Sequence, residues 1–337
     1  MKPAVSIIMP VYNKAAYLRN SLDSVLNQDF HDYELIIIND GSTDNSIEII
    51  NEYAEKDNRF MVYSVENGGV SRARNIGLSY AEGKWIQFLD GDDTICKEYL
   101  SKCVPLAEKN NADIVFSDFD MIDQNRNSIK HVSCTCSGLI HSDEFPHIFI
   151  DYQYKNGFFG FISNKLIRKD LITENNAGFN EKITLAEDLD FFIQLYRHIN
   201  SVYLWKGCSF HYLQTDTNYS VNSEVDYLVQ LGIQMRIYDW FKIIDPVNIP
   251  DVIKQKIGDY VYAYLFDENE KGNDIVYVRR ILNSEFEDIT DILDPDFYKG
   301  FKKRIIKAVK EKNSNTVMKL FRFRTVVRTA YRKVKHG

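Results

Sequence analysis

The chain is poor in the features that mark several protein classes. Its five cysteines, Cys96, Cys103, Cys134, Cys136 and Cys208, are too few and too scattered for a disulfide framework. The lone C-x-C at Cys134 and Cys136 lacks a second ligand pair, so reduced thiols are expected. No stretch approaches the roughly 20 uncharged apolar residues of a membrane span. Lys2 leads directly into the apolar run Val5 to Met9 without a signal-peptide layout, so a chain made and kept in the cytoplasm is expected. There is no internal repeat and no low-complexity tract. Apolar residues at 45% and charged residues at 26% exclude wholesale disorder. With 337 residues, one large domain plus an appendage is expected, as 1–220 and a mainly helical 221–337.

Acidic residues are almost missing from the end of the chain. From Lys302 to Gly337 there are thirteen Lys or Arg against one acid, Glu311. That is +12, and the overall charge of −7 leaves −19 for the first 301 residues. Two regions of opposite character share one chain.

The first 120 residues alternate apolar runs with segments of helical period. Val5 to Val11, Tyr33 to Ile38, Phe60 to Val65, Trp85 to Leu89 and Asp113 to Phe119 read as strands. Helices are expected over Leu18 to Leu26, Ile47 to Ala54, Val70 to Ala81 and Glu98 to Lys109. Strands that are apolar throughout and separated by helices imply a parallel sheet covered on both faces. Ligands of such sheets bind beyond the C-terminal strand ends, where Asp, Asn and Gly accumulate here. Farther on, Asn125 to Ser137 reads as a hairpin or a loop, Asp143 to Tyr152 and Asn164 to Leu171 as partly helical, and Ala186 to His198 as a helix. Val202 to Trp205 reads as a strand. Leu228 to Tyr238, Val261 to Phe266 and Val276 to Leu282 suggest further helices.

Asp90-Gly91-Asp92-Asp93 places three carboxylates in four residues directly after a strand. Such crowding is unfavourable unless a cation or the solvent relieves it, and hard oxygen donors on a short turn suit Mg2+ or Mn2+. A solvated acidic turn capping the next helix is the alternative. Asp40-Gly41-Ser42-Thr43-Asp44 either caps the following helix or offers Asp40 to a base or ribose. Asn67-Gly68-Gly69 followed by Arg72 and Arg74 opens a helix in a manner suited to phosphate, although it is neither a dinucleotide fingerprint nor a P-loop. Glu187-Asp188 starts a helix, either as a dipole-stabilised first turn or with a carboxylate acting as general base.

Taken together, Val5 to Asn13, Ile38 to Asp44, Gly69 to Gly77, Phe88 to Asp93 and Ala186 to Asp188 resemble, in order and spacing, family 2 glycosyltransferases of the GT-A fold. The resemblance covers roughly residues 4 to 215 and implies an α/β mixed sheet flanked by helices, with a helical C-terminal extension. It also implies inverting transfer of a sugar from a nucleotide-sugar donor, usually uridine-diphosphate linked, to a hydroxyl. In this likeness Pro10, Val11 and Tyr12 resemble the lip of the nucleotide pocket and Asp40 the residue that hydrogen-bonds the base. Arg74, with Arg72 as second candidate, looks like the arginine between base and diphosphate. Asp90 matches the carboxylate near ribose and metal, Gly91 lies beside it in the donor-binding turn, and Asp92 matches the direct ligand of Mn2+ or Mg2+. Asp93 is a neighbour, Asp188 matches the catalytic base, and Glu187 shapes its surroundings. Lys165 is expected near the diphosphate or acceptor, and His211 near the metal or phosphate.

The basic end, residues 302–337, mixes Val317, Leu320, Phe321, Phe323, Val326, Val327 and Tyr331 with cations. It suits either an anionic membrane surface or docking as an ordinary C-terminal helix. Relatives that build bacterial surface polysaccharides act on glycans or lipid-linked acceptors, which implies a peripheral place on the inner face of the plasma membrane; homo-oligomers are open and nucleic acid is not expected. Two rivals stand beside this reading: a non-catalytic nucleotide-sugar or glycan-binding module, and a nucleotidyltransferase on a related fold.

Overall fold

The computed structural model describes residues 2–215, 225–271 and 289–324. The chain divides into two compact units, Met1–Ser223 and Glu224–Gly337.

The first unit is a sheet of ten strands with helices against it. Strand β1 (Val5–Val11) is buried at every position, as is β2 (Tyr33–Asp40). Runs without polar alternation can bury both faces, which is the parallel arrangement. β1 pairs parallel with β2 on one side and with β4 (Trp85–Phe88) on the other, and β2 pairs parallel with β3 (Phe60–Val65). The crossovers are α1 (Ala15–Leu26), α2 (Ser46–Lys56) and α3 (Val70–Tyr80). A Cβ on Gly77 of α3 would lie 2.3 Å from Ile8 Cγ2, so this glycine lets the helix settle directly on β1.

Beyond β4 the sheet is mixed, as the family resemblance implies and as the parallel reading of the first strands alone does not. Its order is β3-β2-β1-β4-β9-β6-β10-β5, with β7 on β6 and β8 on β10. β9 (Lys165–Arg168) lies antiparallel to both β4 and β6 (Ile114–Ile122). Asn164 to Leu171 is thus a short strand followed by α6 (Lys169–Glu174), not a helix throughout. Four residues are too few to display a period. The Asn125 to Ser137 stretch is a hairpin, with β7 (Ser128–Val132) antiparallel to β6. β10 (Ser201–Leu213) runs much farther than Val202 to Trp205, with register shifts along its pairing with β6. The remaining pieces are β5 (Thr94–Ile95), α4 (Tyr99–Asn110), β8 (Gly138–His141), α5 (Phe145–Asn156) and α7 (Glu187–Tyr196). Phe116, Phe145, Phe149, Phe159 and Tyr196 form an aromatic core beneath β6, α5 and α7.

In the second unit, α8 (Tyr227–Ile244) is capped by Asp226, whose Oδ1 accepts the N–H groups of Leu228 at 2.9 Å and Val229 at 3.2 Å. α9 (Asp251–Glu270), α10 (Ile289–Ile292), a 3-10 turn at Pro295–Phe297 and α11 (Gly300–Lys310) follow. Helical backbone also spans 314–324. The expected helix at Val276 to Leu282 lies outside the described residues.

The described part of the basic end packs as a helix on its own unit. α11 buries Ile305, Ile306, Ala308 and Val309, and Val317 and Phe321 are buried beyond it. Some of its cations are engaged: Lys302 pairs with Asp259, Lys303 with Asp296 at 2.6 Å, and Arg324 donates to Tyr262 Oη at 2.8 Å, while Arg304, Lys307, Lys312, Lys319 and Arg322 are exposed. The apolar face of residues 302–324 docks as an ordinary helix would, and a row of cations faces solvent. Residues 325–337 lie outside the described ones. No described helix is long and apolar enough to cross a membrane.

Candidate functional site

Two strand-end loops are laced together before any ligand is considered. Asn13, after β1, sits at φ 52°. Its Oδ1 accepts the N–H of Thr43 at 2.7 Å and of Asp44 at 3.3 Å, both after β2. Asp44 in turn accepts the Ala15 N–H at 3.0 Å and the Ser46 N–H at 3.0 Å, and so serves the starts of α1 and α2 together. The third loop joins through Asp40, at the tip of β2. Its carboxylate accepts the N–H groups of Gly68 and Gly69, each at 2.8 Å. Gly69, at φ 90°, makes the turn that brings α3 to the strand tips.

Pro10, Val11, Tyr12, Asp40, Arg74, Asp90, Gly91, Asp92, Asp93, Glu187 and Asp188 line one cavity of about 910 Å³ at this edge. Segments 180 residues apart in the chain meet there. Arg74 is the hub. At 2% exposure, its guanidinium donates to Asp90 Oδ1 at 2.9 Å, Glu187 Oε1 at 3.2 Å and Asp188 Oδ1 at 2.6 Å. The three carboxylates hold its charge on against burial. Ala186, at φ 66°, turns the chain into α7 so that Glu187 and Asp188 face inward. The loop before it is anchored by Asn75, which donates to Phe179 O and accepts the Phe179 N–H, each at 2.9 Å.

Burial pushes the Asp188 carboxyl well above the usual range, with repulsion from Glu187 and Asp90 added and Arg74 opposing. One guanidinium shared among three acids cannot fully offset their crowding. Asp93, 1% exposed, is pushed up by burial and by Asp92 and Asp90. Its Oδ1 accepts the Leu213 N–H at 3.0 Å, while its buried Oδ2 has no hydrogen-bond partner. Asp92 forms an ion pair with Lys14, a cavity-lining residue that the sequence reading passed over although it directly follows the Pro10-Val11-Tyr12-Asn13 segment.

Three expected residues do not line the cavity. Arg72 donates to Glu66 O at 3.2 Å and does not line the cavity. Lys165 is buried under aromatic rings, donating to Phe161 O and to Asn164 Oδ1 at 2.7 Å, with its ammonium 4.1 Å from the Phe192 ring centroid. Burial pushes its pKa well below the usual lysine range, with the nearby Asp188 carboxylate opposing. His211 stands beside Thr94 Oγ1 at 3.3 Å, and its strand neighbours Phe210 and Tyr212 line the cavity where it does not. The opposite wall, with Gln153, Phe161, Ile183 and Tyr212, carried no sequence motif.

Among the described residues no group of three or more His, Cys, Asp or Glu is arranged to hold a metal ion unaided. Mg2+ and Mn2+ commonly need only one or two carboxylates when phosphate oxygens and water complete the shell. Crowded hard oxygen donors, with a buried Asp93 Oδ2 left unpartnered, fit an ion shared with a phosphate ligand.

Comparison with known proteins agrees with this picture. Residues 6–175 match the model of glycosyl transferase family 2. An uncharacterized glycosyltransferase, EpsJ of Bacillus subtilis, is 33% identical over 202 residues, 60% of this chain and 58% of that protein. The minor teichoic acid biosynthesis protein GgaB of the same organism is 32% identical over 217 residues, 61% of this chain and 22% of GgaB. The chain thus matches well under two thirds of the length of either relative. Among solved structures, S. aureus TarS 1-349 in complex with UDP-GlcNAc superposes with a TM-score of 0.65 at 19% identity, covering 96% of this chain and 92% of that one. The likeness to TarS is one of fold, the mixed GT-A sheet. With half its length matched by the family model and its strand-end motifs gathered on one cavity, the chain belongs to glycosyl transferase family 2.

Proposed function

We propose that the protein is an inverting glycosyltransferase that moves a sugar from a nucleotide-sugar donor, a UDP-sugar, to a hydroxyl of a glycan or lipid-linked saccharide in surface polysaccharide synthesis. The observation that carries this reading is the gathering of Asp40, the Asp90 to Asp93 turn and Asp188 on one cavity.

The residues divide the work. Pro10, Val11, Tyr12 and Asp40 form the pocket for the base, with Asp40 also holding the glycine turn in place. Asp188 takes the proton of the acceptor hydroxyl. Arg74 engages its Oδ1, so the proton would go to Oδ2. A carboxylate whose pKa is raised is a stronger base, and positioned proton transfer contributes roughly 10²- to 10⁴-fold to rate. Attack of the acceptor oxygen from the face opposite the leaving diphosphate forms the new glycosidic bond as the anomeric carbon–phosphate oxygen bond breaks, releases the nucleoside diphosphate and inverts the anomeric carbon. Asp92, with Asp90 beside it, would hold Mn2+ or Mg2+, whose chemistry is to neutralise charge on the departing diphosphate.

The donor assignment is supported by the UDP-GlcNAc complex of TarS, and the polymer setting by the name of GgaB. A peripheral place on the inner membrane face is supported by the basic composition of 302–337.

Incubation with Mn2+ and a panel of nucleotide sugars, with released nucleoside diphosphate measured, tests the activity and names the donor. Asp188→Asn should lower turnover by at least about 100-fold while donor Kd stays near wild type. A large loss of donor affinity in that variant would overturn the assignment of Asp188.

A further inference from the structure

Lys14 joins β1 to α1, and its backbone has little freedom. Its N–H donates to Ser46 Oγ at 2.9 Å, and the next N–H, of Ala15, is held by Asp44. Its side chain is different. The ammonium leaves this fixed backbone on a flexible four-carbon stem, 35% exposed, and meets the Asp92 carboxylate, itself 13% exposed. The charges of the turn are therefore unevenly answered. Asp90 pairs with Arg74 and Asp92 with Lys14, while Asp93 accepts the Leu213 N–H and feels Lys14 only at longer range. The oxygen that Lys14 occupies belongs to the residue best suited to hold a hard divalent ion.

A point charge on a swinging stem can serve either of two anions, a carboxylate or a phosphate. Lys14 lines the same cavity as Asp40 and Arg74, within which a nucleoside diphosphate would lie on the proposed function. We propose that Lys14 is a resident counter-cation of Asp92 that is handed to the donor diphosphate. Before the donor arrives its ammonium competes with a divalent ion for Asp92. Once the diphosphate is present the ammonium transfers to it and Asp92 is released. Ion and nucleotide then bind cooperatively, which keeps the free enzyme from carrying a misplaced ion. This inference rests on the donor and cation assignments made above.

The test is a Mn2+ titration of the full chain followed by electron paramagnetic resonance, without and with UDP, beside calorimetry of UDP alone. Without UDP, Lys14→Met should bind Mn2+ about tenfold or more tightly than wild type, because a competing positive charge has gone. Lys14→Arg should remain as weak as wild type, and adding Asp92→Asn to Lys14→Met should erase the gain. Without metal, Lys14→Met should bind UDP about tenfold more weakly. UDP should raise Mn2+ affinity less in Lys14→Met than in wild type. Unchanged or weaker Mn2+ binding by Lys14→Met, in a protein that still binds UDP, overturns this inference and leaves the donor reading standing. Failure of wild type to bind UDP with or without Mn2+ overturns both.

Discussion

Arg74 shows how much a single side chain can organise. Its guanidinium joins α3 to the turn after β4 and to the start of α7, with Glu187 lying 113 residues farther along the chain. Replacing it with Met leaves three crowded acids without their shared cation. Breaking a buried pair in this way costs about 3–5 kcal/mol, and urea denaturation of Arg74→Met should read that loss. Arg74→Lys should recover only part of it, since an ammonium cannot fork to three acceptors. The acids were legible as strand-end motifs because their spacing is local. The bond that unites them was not, for nothing in the spacing of Arg74 and Asp188 reports that they meet. Lys165 and His211 show the same limit: neither lines the cavity, and Lys165 lies buried behind its wall, near enough to Asp188 for the two charges to interact.

At the level of elements, packing distances decide what a position tolerates. Gly77 sits so close to Ile8 that Gly77→Ala, although favourable for an isolated helix, should lift α3 from β1. A loss of about 1–3 kcal/mol in chemical denaturation is expected, with donor affinity falling as the Gly68-Gly69 turn shifts. The strands β1 to β4 and the helices between them were readable within three residues, because a long apolar run followed by a helical period has few other meanings. Strand direction beyond β4 was not readable from the apolar pattern, and only the family resemblance implied a mixed sheet. An apolar run has no arrow, and β9 acquires its antiparallel sense only from the neighbours it joins. The two-residue β5 and four-residue β8 are likewise products of pairing more than of pattern.

For the whole molecule, the separation of charge into −19 and +12 was plain in the composition, but its use was not. Lys302, Lys303 and Arg324 are spent on contacts within the second unit. Any attraction to an anionic surface should therefore fall on the exposed Arg304, Lys307, Lys312, Lys319 and Arg322 together with Arg328, Arg332, Lys333 and Lys335. Deleting residues 325–337 should weaken co-sedimentation with phosphatidylglycerol vesicles about tenfold or more at low salt, at roughly 1 kcal/mol for each cation near the surface. Lys302→Gln should instead lower thermal stability and leave vesicle binding nearly unchanged, because that cation is committed to Asp259. Equal binding by the truncated and full chains would remove the membrane role from this segment.

The antiparallel wedge of β9 also bears on how the protein is born. Trp85 of β4 pairs with Arg168, and Gln87 with Leu166. As the chain leaves the ribosome, β1 to β4 can assemble from adjacent segments, yet the outer edge of β4 has no partner until the chain has grown well past Arg168. For that interval an apolar strand edge stands open, a template for pairing with other chains. The half of the sheet that carries the nucleotide motifs is thus ready early and vulnerable until the other half is made.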